Sequence, residues 1–207
     1  MHSAFRRTSI AALCAAAFVA ACSKSENNAD SARLADSAAA AAPAATDTMA
    51  TAAPALNDAN IVAIVDEANM ADSATGSVAA TKGTNAEVKT FGRDMMRDHH
   101  ALRKMGQDLA KKLNVTPQMP ASNNSEAADK AWVDSLQSMP KGTAWDKAYI
   151  DHEVGLHTQV LATLKTAEGA AQNAELKDLI SKAIPTIESH LKKAQDIQSK
   201  LQSASAS

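Results

Sequence analysis

From Asp58 onward, apolar residues recur at steps of three and four, and this periodicity constrains the fold more than any other feature of the 207 residues. Placed on a helical wheel, the segment predicts four long helices. The first, near Asp58 to Lys82, gathers Ile61, Ile64, Val65, Ala68, Thr75 and Ala79 on one face, with Asp58 as its N-cap and Gly83-Thr84-Asn85 ending it. The second, near Ala86 to Leu113, aligns Val88, Phe91, Met95, Leu102, Gly106, Leu109 and Leu113, and closes at Asn114 and Pro117. The third runs near Thr143 to Glu168 with Trp145, Tyr149, Leu156, Val160, Leu164 and Ala167 together; Thr143 is its candidate cap and Gly169 its stop. The fourth, near Ala174 to Leu201, carries Leu176, Leu179, Ile180, Ala183, Ile184, Ile187, Leu191, Ala194 and Leu201, with Pro185 as a kink in mid-course. Two short links force antiparallel pairs. Between Val115 and Gly142 lies a longer connection with a short helical segment, Ser125 to Ser138, that is either a crossover or a lid. The expected fold is all-α, a four-helix bundle over residues 58–202 with one extra short helix.

Composition agrees. Apolar residues make up 45% of the chain but only six are aromatic, Phe5, Phe18, Phe91, Trp132, Trp145 and Tyr149, so there is bulk for one modest domain. Ala, Leu and Met carry the apolar content in place of β-branched and aromatic residues, which disfavours sheets. With 21 basic against 23 acidic residues and no basic cluster, nothing supports a nucleic-acid partner.

Polar side chains on faces that should be dry are the functional signal, because burying one unpaired is costly. Asp72 falls within the first apolar face, His99 within the second, Glu153 and His157 within the third and His190 within the fourth. His100, Asp66 and Asp151 point outward. Glu153 and His157 stand one turn apart, a spacing that can present two ligands to one ion. With a rise of about 1.5 Å per residue, Asp72 and His99 lie at similar distances from the first hairpin turn, as do Glu153, His157 and His190 from the second. All five are therefore expected near mid-bundle. Three imidazoles and two carboxylates make a suitable donor set for iron, manganese, zinc or copper. The other reading is a hydrogen-bonded network in which the carboxylates accept from the histidines and Tyr149 adds a hydroxyl beside them. Met95, Met96 and Met105 invite copper, but Met95 sits at core spacing and the other two are peripheral.

The amino-terminal segment reads as an address. Arg6 and Arg7 precede an apolar run, Ile10 to Ala21, too short for a permanent membrane span. Its end, Val19-Ala20-Ala21-Cys22, resembles the lipobox of bacterial lipoproteins, which implies cleavage of residues 1–21, lipidation of Cys22 and, with Ser23 following, the periplasmic face of the outer membrane. A lipid anchor is then the membrane partner. Loss of Arg6, Arg7 and Cys14 leaves one modified cysteine and no disulfide. Residues 22–57, rich in Ala, Ser, Asp, Thr and Pro, have the composition of a solvated tether.

Asp58-Ala59-Asn60-Ile61, the stretch Glu87-Val88-Lys89-Thr90-Phe91 to Met96-Arg97-Asp98-His99, the run Trp145-Asp146-Lys147-Ala148-Tyr149 to His157, and Ile184-Pro185 to His190-Leu191 together resemble the domain-of-unknown-function 4142 family, exported bacterial proteins with a ferritin-like bundle. The resemblance spans about Asp58 to Leu201 and implies that His99, Tyr149, His157 and His190 occupy recurrent polar positions, with Asp72 where an acidic residue is usual. Trp145 replaces the more typical Phe, and Glu153 stands where Gln is common, so Glu153 as a ligand comes from the wheel alone. The di-iron ferritin pattern pairs Glu and His three apart, whereas His99 has Met96 there and His190 has Ile187, which argues against ferroxidase or iron-storage chemistry. The leading expectation is a lipid-anchored envelope protein binding a transition-metal ion for metal handling or protection against oxidants. Its alternative is a non-catalytic envelope interaction or maintenance module whose polar layer sets helix register. A third reading, an enzyme using a histidine or Tyr149 as acid or base, has no nucleophile motif or phosphate loop behind it.

Overall fold

The computed structural model describes residues 56–205. The export signal over 1–21, Cys22 and the tether as far as residue 55 lie outside the described residues. Five helices follow one another and no strand occurs among the described residues: α1 (Asp58–Lys82), α2 (Ala86–Leu113), α3 (Ser125–Ser138), α4 (Thr143–Ala170) and α5 (Ala174–Ser205). No helix among the described residues is long and apolar enough to cross a membrane.

Local chemistry sets the helix ends, and some ends differ from the wheel's expectation. Asn57, not Asp58, caps α1: its side chain accepts from the Asn60 backbone N–H at 2.9 Å in a reciprocal capping box. Asp58 is already helical, and its carboxylate accepts instead from the backbone N–H groups of Gln172 (2.8 Å) and Asn173 (3.0 Å) in the α4–α5 turn. Asn85 caps α2, and Asn114 ends it in the left-handed conformation (φ 53°) that short polar side chains tolerate. Thr143 is the first residue of α4 rather than its cap; Gly142, at φ 147°, precedes it and no side chain caps that end. Gly169 does not stop α4, which continues to Ala170, and α5 runs through Pro185 to Ser205, beyond the expected Leu201.

Contacts along the helices fix the topology. Gln118 donates to the Ala59 carbonyl near the start of α1, whereas Lys82, at the end of α1, donates to the carbonyls of Leu136 (3.0 Å) and Met139 (2.6 Å) at the end of α3. The connection therefore climbs the length of the bundle with α3 lying on α1, a crossover and not a lid. It delivers α4 to the same end as the α1–α2 turn. There Asp146, buried in the first turn of α4, accepts from the backbone N–H groups of Thr84 and Asn85, both at 2.8 Å. The four long helices run up, down, down and up, so that α1, α2, α5 and α4 form a square of antiparallel neighbours. Asp58 beside residues 172–173, Asp98 beside His190 and Lys200 beside Glu87 mark the register.

Two apolar clusters fill the bundle. The upper one, beside the α1–α2 turn, joins Val88, Phe91, Met95, Leu136, Trp145, Tyr149 and Ile150, with Trp132 packed against it. Here α1 and α2 touch backbone to backbone: a Cβ on Gly76 would stand 2.7 Å from the Gly92 carbonyl oxygen, and one on Gly92 2.7 Å from that of Gly76. The lower cluster joins Ile61, Val62, Leu164, Leu176, Ile180 and Ile187. Between them lies a polar layer.

Candidate metal centre

Each of the five residues expected at mid-bundle is buried there: Asp72 from α1, His99 from α2, Glu153 and His157 from α4, and His190 from α5. They form two groups sharing His157. In one, the ligand atoms of His99, His157 and His190 lie within 4.8 Å of one another; in the other, those of Asp72, Glu153 and His157 do. The three imidazole rings are nearly equidistant, with centroids 5.5, 5.2 and 5.5 Å apart.

Hydrogen bonds engage one nitrogen of each ring and leave the other without a protein partner. Asn69 donates its amide to the Val65 carbonyl at 2.7 Å, which turns its oxygen towards His99; Nδ1 of His99 donates to that oxygen at 2.9 Å. Nδ1 of His157 donates to the Glu153 backbone carbonyl at 3.0 Å. Nε2 of His190 donates to the Asp98 carboxylate at 3.0 Å, and Arg97, acting first, holds Asp98 below the usual carboxylate range against the opposing effect of burial. Each of these partners can only accept, so each ring carries its proton outward. The remaining nitrogens, Nε2 of His99, Nε2 of His157 and Nδ1 of His190, are buried and have no hydrogen-bond partner in the protein. Three bare lone pairs on adjacent rings, each backed by an oxygen, are the arrangement in which histidines bind a metal ion.

The carboxylates approach from the outer side. Asp72 Oδ2 is 3.6 Å from Nδ1 of His99 and Glu153 Oε2 is 3.4 Å from Nδ1 of His157, while Thr75 donates to Glu153 Oε1 at 3.2 Å. Burial first, and Glu153 next, push the Asp72 carboxyl well above its usual range, so a proton or a cation belongs between the two. Burial first, then His157 and His190, drive His99 down to about 3, and burial likewise lowers His190. His157 goes the other way: burial pulls it down, but the Glu153 hydrogen bond and the charges of Asp72 and Glu153 outweigh it. The same carboxylates that favour a proton on His157 favour a cation bound to it. Tyr149, one turn before Glu153, is buried with its hydroxyl unbonded, and burial first and Glu153 second keep that hydroxyl protonated.

Helical periodicity missed the residues that aim the rings. Asn69 lies three before Asp72 on the same face, a signal available in the sequence. Asp98 stands at the edge of its face, marked only by its place in the run ending at His99. Thr75 reads as core because its hydroxyl is spent on Glu153. Of the methionines, Met95 is buried in the upper cluster with Phe91, while Met96 and Met105 are 36% and 44% exposed.

Fold and site together define an all-helical bundle with a buried imidazole and carboxylate layer that could hold a metal ion. The chain belongs to DUF4142, a domain of unknown function, which matches residues 39–197. No curated protein and no solved structure matches it.

Proposed function

We propose that this protein binds one transition-metal ion through His99, His157 and His190, as a lipid-anchored component of the bacterial cell envelope serving metal handling or protection against oxidants. One observation carries the reading: His99, His157 and His190 each offer a ligand atom within 4.8 Å of the others, and each ring keeps one buried nitrogen with no protein partner. A purely structural network would spend those nitrogens on hydrogen bonds. Nitrogen donors suit zinc, copper, iron or manganese, and three protein ligands leave a position for water or substrate. Asp72 and Glu153 balance charge from the outer side, and Tyr149 bounds the layer above. The single long crossover supports the ferritin-like reading of the bundle, although carboxylates do not face the centre as di-iron chemistry requires. Cys22 supplies the anchor and Ser23 the outer-membrane address, on the strength of the lipobox resemblance.

Elemental analysis of the purified chain, followed by titration with zinc, copper, iron(II) and manganese, tests the reading. Near one equivalent of bound metal is expected for the wild type, with at least a tenfold loss of affinity in His99→Ala, His157→Ala and His190→Ala. A wild type that takes up none of the four ions refutes it. Metabolic labelling with a radioactive fatty acid tests the anchor: label is expected on the wild type and absent from Cys22→Ala.

A further inference from the structure

Several residues that the wheel sends to the core are only partly buried in the fold. Val65, Leu102, Leu156, Val160 and Leu179 all behave so, and all line one cavity of about 560 Å³ in the lower half of the bundle. Its volume falls in the range of small-molecule sites. Its walls are aliphatic, from α1, α2, α4 and α5, and a Cβ built on Gly106, which also lines it, would meet nothing within 4 Å. The exposed residues on its wall, Asn124, Ala128 and Gln159, belong to α4 and to the start of α3, which places the mouth there.

The polar end has a definite chemistry. Asp72 and His99 form its inner limit, and Glu67 and Asp129 stand towards the mouth. Glu67 is 8% exposed; one carboxylate oxygen accepts from Ser125 at 2.6 Å and the other has no partner. Both Asp72 carboxylate oxygens are also unpartnered. The charged groups lining the cavity are Asp66, Glu67, Asp72, Asp129 and Arg103, and the one cation among them is spent on Asp66 at 3.0 Å. The chamber therefore offers carboxyl acceptors with no free cation beside them, and a second carboxylate brought among them would be repelled: burial and Glu67 already push Asp129 up, and burial and Glu153 push Asp72 up.

We infer that this chamber binds an amphiphile with an aliphatic or aromatic body and a hydrogen-bond-donating head, an amine or alcohol and not a carboxylate. The apolar body fills the space left beside the lower cluster, and the head donates to Glu67 and Asp72. This site needs no ion, although it shares Asp72 and His99 with the metal layer at its inner end, so the two readings are tested by separate readouts.

The test uses the full chain, once stripped with a chelator and once loaded with zinc, and N-phenyl-1-naphthylamine, an uncharged amine that fluoresces in apolar surroundings. One probe per chain is expected, displaced by dodecylamine and decanol at concentrations at least tenfold below those needed for laurate. Gly106→Leu and Val160→Phe fill the chamber, and each is expected to cut the bound signal at least fivefold with helical circular dichroism preserved; two variants guard against one failing to fold. Absence of probe binding by the wild type, an unchanged signal in the folded variants, or laurate competing as well as dodecylamine would overturn the inference. Failure to take up zinc with probe binding intact would sink the metal reading alone.

Discussion

The two halves of the bundle, above and below the imidazole layer, are built to different standards. Above it, Phe91, Met95, Trp145, Tyr149 and Ile150 are wholly buried, and α1 and α2 approach until Gly76 and Gly92 meet backbone to backbone. Below it there is no aromatic ring among the described residues, the walls are Leu, Val and Ile, and Gly106 faces open space. Interiors normally pack to crystal-like density, so a lower half left hollow while the upper half is filled divides labour: one end holds the fold and the other stays available.

The sharpest way to break this contrast is to truncate one side chain from each half. Phe91→Ala should cost about 3–5 kcal/mol in urea denaturation, whereas Leu179→Ala, whose side chain already borders a void, should cost under about 2 kcal/mol. Equal losses would mean that the lower half closes up in solution. The glycines give a smaller contrast of opposite signs. Gly92→Ala forces a Cβ against the α1 backbone and should cost about 1–3 kcal/mol, while Gly106→Ala adds one where nothing stands and should gain about 0.4–1 kcal/mol, both read from denaturation midpoints.

The smallest effect concerns the layer that divides the halves. His99 titrates at 6.5 in the unfolded chain and at about 3 in the fold, so below pH 6.5 the unfolded chain takes up a proton that the fold refuses, and this group's contribution to stability falls as pH drops. Lowering the pH from about 7 to about 5.5 should cost the metal-free wild type about 1 kcal/mol more than His99→Gln. Parallel losses would show that His99 takes up its proton without unfolding.

Much of this is legible in the sequence. Periodicity predicts the four long helices because each buries a face wide enough to dominate local preference, whereas α3 buries only Leu136, and equal heights above two hairpin turns bring His99, His157 and His190 together. Helix ends were less legible: Asn57 and Asp58 are both good caps, and the choice between them depends on residues 172–173, more than a hundred positions away. Ring orientation was not legible, since it rests on Asn69 and Asp98, whose partners are set by packing. Nor was the chamber, because a wheel gives the direction in which Val65, Leu102 or Val160 points but not whether anything large enough waits on the other side.

The three imidazoles come from two hairpins. His99 belongs to the α1–α2 pair, His157 and His190 to the α4–α5 pair, and neither pair alone owns three bare nitrogens. An ion held by all three would add a rivet to a seam already joined by both apolar clusters and by Asp58 and Asp146, and by mass action, at free concentration c, would stabilise it by RT ln(1 + c/Kd). Scarcity of that ion would loosen the seam between the pairs before it unwound either one.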